Sequence, residues 1–200
     1  MKKIFLAVGV TMFALMAFSP ADVLTIGSEM PKAELKLQDV SGREISLKSS
    51  AKQNGLLVMF SCNTCPYVIK NQARTIQACN NAISNGVGVV VLNSNEAYRS
   101  GDESLDAMKA YAKEQGYKWS YAVDKNNEIA DAFGANRTPE CYLFNKEGKL
   151  VYHGAIDDSP NDESAVKRNH LKEAVTELNQ GKEISVKTSR SVGCSIKRKV

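Results

Sequence analysis

The sequence has few of the residues that build metal sites, cofactor sites and disulfide-rich domains. It contains two histidines and five cysteines in 200 residues, and only Cys62 and Cys65 form a C-x-x-C pair. A structural zinc site needs further ligands with their own local spacing, and a second C-x-x-C is absent. A glycine-rich phosphate loop and a dinucleotide fingerprint are also absent. We therefore expect neither a metal nor a cofactor.

The number of cysteines argues against a disulfide-stapled fold. A small exported domain held by disulfides normally carries more cysteines in a shorter chain. Five is also an odd number, so at least one thiol is free or pairs transiently in an oxidising compartment. This count favours redox chemistry.

Long apolar segments are absent after the first 21 residues. Lys2 and Lys3 precede an apolar run from Ile4 to Phe18, and Ser19-Pro20-Ala21 supplies small residues, a pattern typical of a signal peptide cleaved after Ala21. The run is shorter than the about 20 residues of a membrane span, although a retained segment would act as an N-terminal membrane tether. A cysteine that could accept a lipid is missing at the cleavage point. We expect an extracytoplasmic protein, periplasmic or secreted.

The remaining chain divides into one domain and a basic tail. Residues 22–181 are long enough for a single domain with its own core. Residues 182–200 contain one acidic residue, Glu183, and six basic residues: Lys182, Lys187, Arg190, Lys197, Arg198 and Lys199. We expect this tail to be solvated and predict no nucleic-acid partner, because an exported protein rarely meets nucleic acid.

Strand and helix patterns alternate along the domain. Helical spacing of apolar residues marks 66–85, 105–115, 128–133 and 162–178. Strand patterns cover 34–40, 44–47, 55–60, 87–92, 119–123, 141–144 and 150–152. The continuous apolar runs at 55–60 and 87–92 are typical of strands buried on both faces of a parallel sheet. The order predicts an α/β sandwich with a mixed central β-sheet flanked by helices.

The C-x-x-C pair lies where a buried strand gives way to a helix that opens with Pro66. Backbone N–H groups and the dipole at a helix start favour a thiolate. We therefore predict Cys62 as the attacking thiol and Cys65, one turn on, as the resolving thiol. A static disulfide and half of a zinc site are the alternatives.

Residues 34–180 resemble the thioredoxin superfamily, in particular its redoxin branch of AhpC/TSA-like and exported ResA/TlpA-like proteins. The shared features are a leading β-hairpin, strand–C-x-x-C–helix, an inserted βα unit, and Thr138-Pro139 before a terminal hairpin. The resemblance implies a thioredoxin-like sandwich in which a cis-Pro139 faces the dithiol. It also implies that Thr138, Pro139 and Gly154 present a partner backbone by strand addition.

The resemblance implies thiol–disulfide exchange with protein disulfides or thiols outside the cytoplasm. The direction of electron flow is open, and a reductase would need a membrane electron donor. Some family features are missing. Ser61 replaces the usual Trp, Leu56 replaces a buried acid, and Lys70 with Asn71 replace a helical acid. The proton acceptor is thus unassigned, with Glu140 as a candidate.

A thiol peroxidase is the main alternative function. Cys65-Pro66 matches part of the peroxiredoxin motif, and Arg74 or Arg137 could support a peroxide. However, Cys62 stands where that motif has Thr, and the upstream proline is missing.

A copper chaperone of the Sco type is a further alternative. Two thiolates and His153 would suit Cu(I), although such proteins use C-x-x-x-C-P. Cys79 and Cys141 fall on apolar patterns and are expected in the core. Cys194 lies in the basic tail, where Lys197 and Arg198 favour a reactive thiol, and we consider it an auxiliary redox cysteine.

Overall fold

The computed structural model describes residues 23–199, so the predicted signal segment lies outside the described residues. Its strands are β1 (Leu37–Asp39), β2 (Glu44–Ile45), β3 (Leu56–Ser61), β4 (Gly88–Asn93), β5 (Ser120–Val123), β6 (Arg137–Thr138), β7 (Glu140–Phe144), β8 (Leu150–Gly154) and β9 (Cys194–Ser195). Its helices are α1 (Leu47–Ser50), α2 (Pro66–Lys70), α3 (Gln72–Ser84), α4 (Leu105–Glu114), α5 (Glu128–Phe133) and α6 (His170–Asn179). No helix within this part of the chain is long and apolar enough to cross a bilayer.

Seven strands form one mixed sheet in the order β2-β1-β5-β4-β3-β7-β8. The central strands β3, β4 and β5 are parallel, and β7 and β8 add to β3 as an antiparallel hairpin. The leading hairpin β1–β2 pairs with β5 on the other side. The predicted α/β thioredoxin-like sandwich is confirmed.

The sheet is covered on both faces, which explains its continuous apolar strands. In β3, Leu57 and Met59 pack into one core cluster, while Val58 and Phe60 pack into the other. Because successive side chains of a strand point to opposite faces, a strand buried on both faces must be apolar throughout. This arrangement fixes the carboxyl end of β3, where the C-x-x-C pair follows.

Two helix predictions differ from the structure. The helix predicted from residue 66 to residue 85 breaks at Asn71, whose side chain donates to the Tyr67 and Pro160 carbonyls at 2.7 and 2.9 Å. The helix predicted from residue 162 begins at His170. Before it, the Ser164 and Lys167 N–H groups donate to aspartate side chains. Such side-chain acceptors compete with the helical hydrogen bonds.

Candidate active site

The two cysteines of the pair lie between β3 and α2. Cys65 is the N-cap of α2 and Pro66 occupies the first helical turn. Proline suits this position because its missing N–H would have no helical partner. Both cysteines are almost fully buried, with 0% of Cys62 and 4% of Cys65 exposed.

The surroundings of Cys62 do not lower the pKa of its thiol as the helix position predicted. Burial raises the pKa of Cys62, and the negative charge of Glu103 raises it further. The Thr138 side chain and the Cys65 and Thr64 backbone groups lower this pKa by hydrogen bonding, but they do not reverse the shift. The prediction considered only the helix start and was wrong in sign, because desolvation of a buried thiolate dominates.

Glu103 is the acidic residue that the sequence analysis missed. Its side chain is fully buried and accepts the N–H groups of Asn63 and Thr64 at 2.9 and 3.2 Å. It also accepts the Thr64 hydroxyl at 2.7 Å and the Asn93 side-chain amide at 2.6 Å. Glu103 thus holds the two residues between the cysteines.

The peptide bond between Thr138 and Pro139 is cis, as predicted. Thr138 is fully buried and contacts both sulfur atoms of the pair. The Cys62 Sγ lies 3.6 Å from the Thr138 hydroxyl oxygen, and the Cys65 Sγ lies 3.4 Å from the Thr138 carbonyl oxygen. The fold therefore brings the thiol pair and the cis-proline turn together, although they are more than 70 positions apart.

Cys65 forms a disulfide with Cys194, and their Cα atoms lie 6.1 Å apart. Cys62 remains a free thiol. The partner cysteine lies in β9, which pairs antiparallel with β6 so that Cys194 faces Thr138. The expectation of a solvated tail is therefore wrong: hydrogen bonds and buried Ile196 hold residues 193–198 on the domain. The pattern of the tail gave little indication of this packing.

Glu140, which is buried, and His153, which is partly buried, form a pair near the cis-proline turn. The His153 Nε2 lies 2.8 Å from Glu140 Oε1, and the ring stacks on Tyr142. The other oxygen of Glu140 accepts the N–H groups of Asn136 and Arg137 at 2.9 and 3.0 Å. Both oxygens of Glu140 are thus used by the turn before Pro139 and by His153 and not by either sulfur of the pair, in contrast to its expected role as a proton acceptor.

The residues considered for peroxide binding and for copper binding make other contacts in the structure. Arg74 forms a buried ion pair with Asp157 at 2.6 Å and donates to the Ser159 carbonyl. Arg137 is an exposed residue whose backbone pairs with Ser195. Among residues 23–199, no group of three or more His, Cys, Asp or Glu side chains could hold a metal ion. His153 is not brought to the thiol pair as a copper ligand.

The two remaining cysteines are core residues, as predicted. Cys79 and Cys141 are fully buried in the core cluster between the sheet and the helices α3 and α6. Burial raises the pKa of both thiols far above the ordinary range. Neither thiol is suited to nucleophilic chemistry.

The fold and this arrangement define a thioredoxin-fold protein with cysteines facing a cis-proline turn. The family model described as Redoxin matches residues 25–169. The thiol-disulfide oxidoreductases ResA of Bacillus cereus (strain ATCC 10987 / NRS 248) and Bacillus subtilis (strain 168) are 28% and 26% identical to the chain. These alignments cover 72% and 67% of this chain and 78% and 69% of the relatives.

Two solved structures are similar over most of the chain. An uncharacterized conserved protein from Geobacillus kaustophilus is 33% identical with a TM-score of 0.82, covering 89% of this chain and 94% of that one. A hypothetical protein from Sinorhizobium meliloti 1021 is 31% identical with a TM-score of 0.81, covering 90% and 97%. The chain belongs to the redoxin family of the thioredoxin superfamily, and it is an oxidoreductase.

Proposed function

We propose that the protein is a thiol–disulfide oxidoreductase that exchanges disulfides with other proteins through Cys62 and Cys65. The observation that carries this proposal is the contact of both sulfur atoms with Thr138, next to cis-Pro139. An extended substrate segment pairing with this backbone would place its own sulfur beside the dithiol. The relatives named ResA are thiol-disulfide oxidoreductases, which supports the same chemistry.

In this mechanism, Cys62 attacks a substrate disulfide as the thiolate and forms a mixed disulfide. Cys65 then attacks Cys62, which closes the Cys62–Cys65 disulfide and releases the substrate thiol. The Thr138 hydroxyl and the nearby backbone N–H groups stabilise the thiolate when it forms. Thr138, Pro139 and Gly154 are the proposed binding residues for the substrate backbone.

The raised pKa of Cys62 favours the reducing direction. A thiolate that is stabilised in the reduced protein makes its disulfide a strong oxidant. Here burial and Glu103 act against the Cys62 thiolate while Cys65 is bound to Cys194, so these surroundings give the thiolate no such stabilisation. We therefore propose that the protein donates electrons to substrate disulfides and receives them from a membrane electron donor.

We place this reaction outside the cytoplasm, in the periplasm or a secreted fraction. Lys2, Lys3 and the apolar run from Ile4 to Phe18 support export. A disulfide between Cys65 and Cys194 suits an oxidising compartment. A segment that is not cleaved would leave the domain tethered to the membrane.

The test is reduction of insulin disulfides by dithiothreitol, catalysed by wild type, Cys62→Ser, Cys65→Ser and Cys79→Ala. We expect catalysis in wild type and its loss in both serine variants. Cys79→Ala is the matched control, because it removes a buried thiol away from the pair, and it should retain activity. Full activity in Cys62→Ser would refute the proposal.

A further inference from the structure

The tail of the chain occupies the surface that the proposed function assigns to substrate. Cys194 of β9 is paired with Thr138 in an antiparallel register. A Cβ on Gly193 would overlap the Thr138 carbonyl oxygen, so the tail backbone lies directly against this turn. Likewise, a Cβ on Gly154 would overlap Ser189. All three proposed substrate-binding residues therefore face the chain's own tail.

We propose that Cys194 is a third redox cysteine and that β9 occupies the substrate site of its own chain. The strand β9 leaves this site when Cys62 displaces Cys194 from Cys65. This inference rests on the proposed function, because it takes the surface beside Thr138 as the place where substrate binds. It adds that the substrate is a cysteine-containing segment in extended conformation, running antiparallel to β6 as Cys194 does.

The tail is shaped as a substrate strand would be. It is extended, it donates and accepts backbone hydrogen bonds at an otherwise open edge, and its cysteine reaches the redox pair. Cys62, Cys65 and Val68 form a small buried cluster against which Cys194 packs. The structure thus joins a strand on the proposed substrate surface to the redox pair by a disulfide, with the bond on Cys65 where a substrate would bond to Cys62.

The exchange step needs no external oxidant or reductant. The Cys62 thiol gives up its proton, and its sulfur attacks the Cys65 sulfur. The Cys62–Cys65 bond forms as the Cys65–Cys194 bond breaks, and Cys194 leaves as a thiolate that takes up a proton. One disulfide and one thiol are present before and after the step, so the protein stays at the same oxidation level.

The two disulfide forms differ in access to the site. In the form with Cys65 bound to Cys194, Cys62 is fully buried and only Cys194 of the three cysteines is partly exposed. In the form with Cys62 bound to Cys65, β9 has no covalent link and can leave the edge of β6. We infer that the first form is closed. In the second form the surface beside Thr138 is open, so a dithiol partner can reduce the Cys62–Cys65 disulfide and free Cys62 to attack a substrate disulfide.

Contacts beyond the disulfide return the tail to the site. The Ile196 N–H donates to the Asn136 carbonyl at 3.1 Å, and the Lys197 N–H donates to the Asn95 side chain at 2.9 Å. The Arg198 guanidinium binds Asp131 at 2.8 Å. These bonds keep Cys194 at a high effective concentration near Cys65, so the closed form reappears after turnover.

The experiment maps the disulfides of the oxidised full chain by alkylation of free thiols and mass spectrometry. The variants are wild type, Cys62→Ser, Gly193→Ala and Ser195→Ala. Gly193→Ala retains every thiol but places a methyl group against the Thr138 carbonyl. Ser195→Ala is the matched control, because Ser195 lies in the same strand and its side chain is exposed.

We expect both disulfides in wild type, only Cys65–Cys194 in Cys62→Ser, and a shift towards Cys62–Cys65 in Gly193→Ala. If about nine-tenths of the wild type is closed, Gly193→Ala should oxidise a dithiol peptide up to about tenfold faster. Ser195→Ala should match wild type in both measurements.

The inference is overturned if wild type and Gly193→Ala carry only one and the same disulfide, or if Gly193→Ala oxidises the peptide at the wild-type rate. These results are distinct from failure of the proposed function, which would appear as unchanged insulin reduction in Cys62→Ser. If Cys62→Ser loses insulin reduction and Gly193→Ala has an unchanged disulfide map, the proposed role of the tail is refuted and the proposed oxidoreductase function is supported.

Discussion

The buried ion pair between Arg74 and Asp157 gives a sharp prediction, since Arg74 was also a candidate peroxide-binding residue. Only 6% and 1% of the two side chains are exposed, and their charged atoms lie 2.6 Å apart. Asp157 also accepts the Ser159 N–H at 2.9 Å. The pair ties α3 to the loop that follows β8.

We expect Arg74→Met to destabilise the protein strongly, because it leaves the Asp157 carboxylate buried without its partner. Breaking a buried pair in this way costs about 3–5 kcal/mol. For a domain of this size, each kcal/mol lowers Tm by about 2–4 °C, so the expected decrease is about 6–20 °C. Thermal unfolding measures the Tm and urea unfolding measures the free energy, both followed by the fluorescence of Trp119, the single tryptophan.

The control is the double variant Arg74→Met/Asp157→Leu, which removes both charges. We expect its destabilisation to be smaller than the sum of the single effects by about 1–3 kcal/mol, as for residues in direct contact. The reasoning would be refuted if Arg74→Met lost less than about 1 kcal/mol of stability. It would also be refuted if folded Arg74→Met selectively lost peroxide-driven oxidation, because that result would indicate that Arg74 binds peroxide.

Three further predictions concern the site and its export. Glu103→Gln should lower the pKa of Cys62, because the glutamate charge raises it. In a Cys65→Ser/Cys194→Ser background, the pH profile of Cys62 alkylation by iodoacetamide should therefore move to lower pH. A move to higher pH would contradict this prediction. Glu140→Ala should destabilise the domain by about 1–3 kcal/mol, because the N–H groups of Asn136 and Arg137 lose their acceptor. A urea unfolding midpoint within error of wild type would contradict this prediction. If the proposed export and cleavage after Ala21 are correct, the mature chain begins at Asp22. Intact-mass measurement on a periplasmic extract would show this, and a full-length mass would indicate a retained segment.

The fold was predictable because local patterns and burial agree along the central sheet. The apolar runs of β3 and β4 fit only strands covered on both faces, and Glu128–Phe133 forms the predicted helix. Where polar side chains compete for backbone groups, as at Asn71 and Asp162, periodicity alone placed the helix ends incorrectly. Such competition depends on contacts between distant segments.

The site was predictable in part. Cys62 and Cys65 were predicted from a motif and its context, and cis-Pro139 from the resemblance to the thioredoxin superfamily. Glu103 could not be recognised, because it lies outside any helix or strand and its importance arises only when the loop before α4 folds over the C-x-x-C pair. Cys194 was considered for its chemistry, but its pairing with Cys65 depends on a strand of two residues.

Trapping the mixed disulfide measures the central claim most directly. In the variant Cys65→Ser/Cys194→Ser, Cys62 is the one cysteine of the site that remains, while Cys79 and Cys141 stay buried. A peptide carrying an activated disulfide should form a stable covalent adduct, and peptide mapping should place it on Cys62. Failure of the folded variant to form this adduct, or its formation on Cys79 or Cys141, would contradict attack by Cys62.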